Sequence, residues 1–167
     1  MIFQEPMTAL NPTRRIGQQM VEVIRHHQAL SRTDARQKAV ALLEEMQIPD
    51  APEVMKRFPF ELSGGMKQRV AIAIALACNP DLIIADEPTT ALDVTVQRQI
   101  LDLLKKIAEE THTAIVLVSH DLGVIASMCS RVLVMKEGRL VEEGSMEQIF
   151  YEPAHPYTNK LSDMARK

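Results

Sequence analysis

Two short apolar runs frame an amphipathic stretch in the second half of this chain, and that order restricts the fold more than any other feature. Leu82-Ile83-Ile84-Ala85 and Ala114 to Val118 have the length and unbroken hydrophobicity of buried strands. Between them Val96, Ile100, Leu103, Leu104 and Ile107 recur at three- and four-residue steps, as on a helix with one apolar face. Strand, crossover helix and strand form a βαβ unit whose strands run parallel, so their C-terminal ends share one edge of the sheet. In α/β folds that edge is where ligands usually bind. The residues arriving there are Asp86-Glu87-Pro88 and Ser119-His120-Asp121.

The flanking segments differ in texture. Ile16, Met20, Val23, Ile24 and His27 follow one helix face after Pro12 and Thr13, and a second helix starts near Ser31 and buries Ala39, Leu42, Leu43 and Met46. Pro49 ends that pattern, and Pro52 and Pro59 bracket a short helix. No strand signal precedes residue 80 or so, which predicts a helical unit over 12–60. A helix over 64–78 leads into the first apolar run. After the second run come a short helix through Val124 and Ile125, a β-hairpin of Arg131 to Lys136 and Arg139 to Glu143 turning at Glu137-Gly138, and a helix over 146–150. A proline-punctuated tail follows. The expected organisation is 1–11, 12–60, 61–151 and 152–167.

Composition excludes several classes. With 167 residues and 46% hydrophobic content the chain has the size of one modest globular domain, and its net charge of −3 gives no basic footprint for nucleic acid. The longest apolar run, Val70 to Cys78, is well short of the ~20 residues that cross a bilayer. No secretory leader pattern opens the chain, and Cys78 and Cys129 have no metal or redox spacing, so both are expected as reduced thiols.

The edge residues admit sharper readings. Adjacent strand residues face opposite ways, so Asp86 and Glu87 are expected to divide the work: one holding a hard cation such as Mg²⁺, the other orienting or deprotonating a water. Two solvated acids at a strand end are the plain alternative. His120 is either structural or, through the βαβ geometry, a third group at that edge. Ser63-Gly64-Gly65 opens the helix before the acidic strand; a Ser cap followed by two glycines leaves unobstructed N–H groups at a positive helix end, suited to phosphate oxygens. An ordinary capped helix is the alternative there.

In their order and spacing these residues resemble the ATP-binding cassette (ABC) family of nucleotide-binding domains. LSGGMKQR resembles the family's signature loop, LIIADEP its Walker B strand, Thr90-Ala91-Leu92-Asp93 its D-loop and Ser119-His120-Asp121 its switch histidine. Gln4, in MIFQEPMTALNP, falls where the family has its Q-loop. The resemblance implies an α/β fold of P-loop NTPase type: part of an ABC nucleotide-binding domain, with a remnant of parallel sheet, a helical subdomain and a C-terminal β-hairpin. It implies ATP and Mg²⁺ as ligands, Asp86 and Gln4 at the metal, Glu87 as general base, His120 at the γ-phosphate and Gln4 as its sensor. Ser63, Gly64, Gly65, Gln68 and Asp93 would contact nucleotide, the signature loop capping ATP held by the opposite subunit of a head-to-tail dimer. The helical subdomain would dock on permease subunits at the cytoplasmic face of the membrane, with a substrate-binding protein as indirect partner. QEPMTALNP and Pro153-Ala154-His155-Pro156-Tyr157-Thr158 resemble the oligopeptide, dipeptide and nickel importer branch.

One family element has no counterpart. No GxxxxGK[ST] loop occurs: Gly17 stands in a helix and Gly138 and Gly144 flank a hairpin strand. The resemblance therefore covers the latter part of the family's domain. It leads to an ATP-hydrolysing importer subunit that alone binds ATP weakly, with an unpaired apolar strand edge favouring oligomerisation. The alternative is a non-hydrolytic protein that caps nucleotide in trans. A DNA-repair or chromosome-maintenance ATPase fits poorly, because the stretch from Gln4 to Ser63 is short and has neither heptads nor cysteine pairs.

Overall fold

The computed structural model describes residues 1–4, 9–90 and 92–165; residues 5–8 of the QEPMTALNP segment and Ala91 of the D-loop segment lie outside them. The chain forms two compact units, residues 1–116 and 117–167.

The first unit is mostly helical. Helices α1 (Ile16–His27) and α2 (Arg32–Glu45) pack together, followed by the single turn α3 (Ala51–Val54), a 3₁₀ turn at Pro59–Glu61 and α4 (Gly64–Leu76). Ile16, Met20 and Ile24 of α1 and Ala35, Ala39 and Leu43 of α2 are fully buried. His27, assigned by spacing to the apolar face of α1, is exposed; the last turn carries Arg25, His26 and His27 instead, where cations favour the helix C-terminus. Ser31 caps α2 through a hydrogen bond accepted from the Asp34 N–H at 3.1 Å. Gly17 lies in helical backbone for a packing reason. A Cβ there would stand 2.7 Å from the Met55 carbonyl oxygen, which accepts the Gly17 N–H at 2.9 Å. α4 stops at Leu76, short of Cys78, because Asn79 turns into left-handed backbone (φ 47°) before Pro80.

Strands β1 (Leu82–Asp86) and β2 (Ala114–Val118) are sheet neighbours in a parallel arrangement, connected by α5 (Val94–Thr111), which buries Ile100, Leu103, Leu104 and Ile107. A further pairing was not foreseen. Ile2 makes a parallel bridge to Ala85, donating to the Ile84 carbonyl at 2.8 Å and accepting from Asp86 N–H at 2.9 Å. A single bridging residue leaves no periodicity in the sequence, which is why no strand was expected before residue 80. Burial alternates along β1, with Ile83 and Ala85 inside and Leu82 and Ile84 at 49% and 39% exposure. Leu82 and Ile84 thus lie on an exposed face of the strand.

In the second unit α6 (Leu122–Met128) precedes the antiparallel pair β3 (Arg131–Lys136) and β4 (Arg139–Ser145), then α7 (Met146–Tyr151) and α8 (Pro156–Ala165). The hairpin pairs Arg131 with Ser145 and Lys136 with Arg139, has an irregularity at Val134/Met135, and turns through Glu137 and Gly138, both at positive φ as a tight two-residue turn requires. Ile125, Val132, Val134 and Ile149 form its buried core.

The proline-punctuated tail, for which the sequence pattern assigns no element, contains the ten-residue helix α8 (Pro156–Ala165). Pro156 starts it with a φ already helical. The Glu142 carboxylate accepts the N–H groups of Ala154 and His155 at 2.8 and 3.0 Å, and His155 Nδ1 accepts that of Tyr157 at 3.1 Å. Partial burial raises the Glu142 pKa, but these amides and the Thr158 hydroxyl beside it outweigh that and hold the carboxyl below its ordinary 4.5. A carboxyl depressed on folding stabilises above its unfolded pKa, and the gain vanishes as pH falls through the folded one. Thermal unfolding should show Glu142→Gln less stable than native near neutrality, the gap closing as pH falls below about 4.5.

Candidate functional site

The end of β1 is the chemical centre of the first unit. Asp86 closes the strand half-buried, and Glu87 follows in left-handed backbone with φ 43°. Non-glycine residues pay a steric cost in that region and are held there by their surroundings. The bridge between Ile2 and Ala85 sets a parallel register that carries Gln4, two residues on, to Glu87, also two residues on. Gln4 Nε2 donates to Glu87 Oε2 at 3.0 Å, and the Thr90 hydroxyl donates to the same oxygen at 2.8 Å. Residues 83 apart in sequence thus hold one carboxylate oxygen between two donors. Such a carboxylate is oriented, and able to accept a proton from water. Thr90 was not singled out as a site residue, although its position three residues after Glu87 at a strand end fits a local turn, with the Thr90 N–H also donating to the Glu87 carbonyl at 3.2 Å.

Ser63 caps α4, its hydroxyl accepting the Met66 N–H at 3.3 Å. Among the described residues neither Gly64 nor Gly65 donates its N–H to an acceptor, and Ser63 and Gly64 are exposed, so the helix presents an open anion-accepting end. The glycines also have a packing role that spacing does not reveal. A Cβ on Gly64 would stand 3.5 Å from Leu92 Cδ2, and one on Gly65 would stand 2.7 Å from Val96 Cγ1. The Ser63-Gly64-Gly65 loop is pressed against the segment that enters α5. Gly65→Ala should therefore destabilise the chain by about 1–3 kcal/mol, and Val96→Ala in the same chain should recover most of it; equilibrium denaturation reads both.

The remaining expected residues have distinct placements. Gln68 is 1% exposed with its Nε2 unpartnered among the described residues, so it packs inside the unit beneath the loop and is not part of the exposed loop surface. Asp93 is exposed and caps α5, its Oδ1 accepting the Val96 N–H at 3.0 Å. In the second unit His120 is exposed just beyond β2, and Asp121 caps α6 by accepting the Gly123 and Val124 N–H groups at 2.8 and 3.3 Å. Both cysteines are free and half-buried, and burial pushes their thiols up. Among the described residues no three His, Cys, Asp or Glu side chains converge as a metal cage.

Comparison with known proteins places this geometry. Residues 1–90 match the family model described as ABC transporter, and residues 56–126 match an AAA-domain model. The chain is 64% identical over 165 residues to the Escherichia coli K12 protein named "Probable D,D-dipeptide transport ATP-binding protein DdpD", covering 99% of this chain and 50% of that one. It is 52% identical over 158 residues to the oligopeptide transport ATP-binding protein OppD of Salmonella typhimurium LT2, covering 95% and 47%. The chain thus spans about half the length of these relatives. Among solved structures, the dimeric ATP-binding cassette MJ0796 bound to ADP and Pi superposes with a TM-score of 0.74 at 34% identity, covering 87% of this chain and 61% of that one. The cbiO1 subunit of Clostridium perfringens, part of the ABC transporter complex cbiONQ, superposes with a TM-score of 0.78 at 27% identity, covering 99% and 66%. The fold is that of P-loop NTPases of the ATP-binding cassette type, and the chain belongs to the ABC transporter family.

Proposed function

We propose that this chain supplies the water-activating and nucleotide-capping residues of an ATP-hydrolysing subunit that drives peptide import. The observation that carries this reading is the hydrogen bond from Gln4 to Glu87, which joins the Q-loop position to the carboxylate after the Walker B strand. Glu87 is the general base toward the attacking water, kept in aim by Gln4 and Thr90. Asp86 and Gln4 are the chain's candidates for Mg²⁺. With no three-residue cage among the described residues, a magnesium ion would draw its other ligands from phosphate and water, as that ion commonly does. Bound there, it would neutralise phosphate charge. His120 donates toward a terminal phosphate. Ser63, Gly64 and Gly65 cap, through the amides of α4, a nucleotide held by a second subunit; Asp93 orders the neighbouring segment, and Gln68 supports the loop from beneath.

Peptides are the proposed cargo, following the dipeptide and oligopeptide transport named for the relatives. The partners are a second ATP-binding subunit arranged head to tail, permease subunits docked on residues 12–60, and through them a substrate-binding protein. No helix among the described residues is long and apolar enough to cross a membrane; the proposed location is peripheral, on its cytoplasmic face.

Sedimentation of the chain mixed with a full-length ABC ATP-binding subunit tests this. A complex should form with Mg-ATP and not without it, and Gly64→Glu, which sets a negative charge at the anion-accepting helix end, should abolish it. Nucleotide-independent association, or none, would contradict the reading. Association without turnover that depends on Glu87 would leave capping as the chain's only task.

A further inference from the structure

A cavity of about 920 Å³ opens on the first unit between α1, the start of α2 and the turn after α3. Its lining carries six permanent cations (Arg14, Arg15, Arg25, Arg32, Arg36 and Lys56) against one carboxylate, Glu22. This segregation occurs in a chain whose net charge is −3. Three of the cations are already engaged. Arg14 pairs with Glu22, Lys56 pairs with Glu53 at 2.6 Å, and the Arg15 guanidinium lies 5.4 Å from the centre of the Phe58 ring. Arg25, Arg32 and Arg36 are exposed and pair with no carboxylate among the described residues.

The placement of the last two is unfavourable for the helix that carries them. Arg32 is the first residue of α2, at the end where the helix dipole is positive, and Arg36 follows one turn later on the same face. Like charges at that spacing repel, and neither position serves helix stability. An anion in the cavity would relieve both effects, and guanidinium groups match phosphate oxygens through paired N–H donors. The volume exceeds what one small ion fills, and cations line it from two helices. From this cluster we propose that the cavity binds a ligand bearing several phosphate groups, either a soluble polyphosphate or the phosphodiester headgroups of an anionic lipid surface. This site is separate from the carboxylates at the end of β1 and from the N-terminus of α4, lies within the 12–60 segment proposed to meet permease subunits, and stands whether or not the chain hydrolyses ATP.

The test titrates the full chain with sodium tripolyphosphate by calorimetry and sediments it with vesicles of phosphatidylglycerol or of phosphatidylcholine, each at low and high salt. Native chain should bind tripolyphosphate, phosphatidylglycerol vesicles or both, more weakly as salt screens the charges, and should ignore phosphatidylcholine. Arg25→Gln/Arg32→Gln/Arg36→Gln should lose at least about tenfold in affinity. A matched loss of charge elsewhere, Arg98→Gln/Lys105→Gln/Arg139→Gln, should lose less than about twofold, since distant exposed charges are screened. The same loss of about tenfold should appear in a Gly64→Glu background, which separates this site from the capping loop. Binding of tripolyphosphate alone identifies a soluble ligand, and of phosphatidylglycerol alone a membrane surface. Circular dichroism checks folding, and Arg36→Glu alone should show the same direction of loss if the triple variant unfolds. Native chain that binds neither probe, or equal losses in the two triple variants, would overturn the proposal.

Discussion

Glu87→Gln should lower ATP turnover at least about a hundredfold in an assembly where this chain supplies the carboxylate, with nucleotide affinity nearly unchanged. The substitution keeps size and most hydrogen-bonding capacity: a Gln side-chain oxygen can still accept from Gln4 Nε2 and the Thr90 hydroxyl, which lie 3.0 and 2.8 Å from Glu87 Oε2. What it removes is the negative charge and the ability to take a proton from water. An effect confined to the rate, with binding preserved, therefore separates a base from a structural anchor. Thr90→Val should act in the same direction but more weakly, because it removes one of two donors and leaves the carboxylate in place. Steady-state phosphate release and nucleotide titration on the same assembly read the two quantities.

Arg69→Met should cost the chain about 2–4 kcal/mol of stability, a fall in unfolding midpoint on the order of 10 °C. Arg69 is 9% exposed, and its guanidinium donates to the Met46 carbonyl at 2.7 Å and to Gln99 Oε1 at 3.1 Å. Burial alone pushes its pKa down, and no carboxylate pairs with it among the described residues. Its compensation comes from carbonyl dipoles, above all the C-cap residue of α2, at the negative end of that helix. One side chain thereby ties α4 to the end of α2 and to α5. Methionine fills similar volume but leaves the Met46 carbonyl without its donor. Arg69→Lys should recover only part of the loss, since one ammonium cannot span both acceptors. Denaturant unfolding of the three chains measures the series.

Much of this was legible because the signals were local. The apolar stripe of α5, the helix starts at Ser31 and Ser63 and the Glu137-Gly138 turn each depend on residues a few positions apart, and the structure forms all of them. The acidic pair also lies at the strand end where the βαβ pattern set it. What stayed hidden depends on distant partners. Ile2 pairs through backbone groups alone, so nothing in its neighbourhood signals a bridge. The start of α8 is held by Glu142, a residue of the preceding hairpin, and nothing within the tail itself marked a helix. The glycines of the signature loop were explained by phosphate access, while the close approach of Val96 to Gly65 is visible only in three dimensions. Arg69 left one clue. α4 buries residues on every side, so a cation within it had to find acceptors inside the unit.

Under the proposed function, the register between Ile2 and Ala85 makes Gln4 and Glu87 one catalytic unit. A double-mutant cycle on ATP turnover, in an assembly that depends on this chain, tests it most directly. Gln4→Ala should lower the rate of the native chain and have a much smaller further effect in the Glu87→Gln background, where only its proposed place at Mg²⁺ remains to be lost. Losses that simply multiply would contradict this coupling and leave the two residues acting independently.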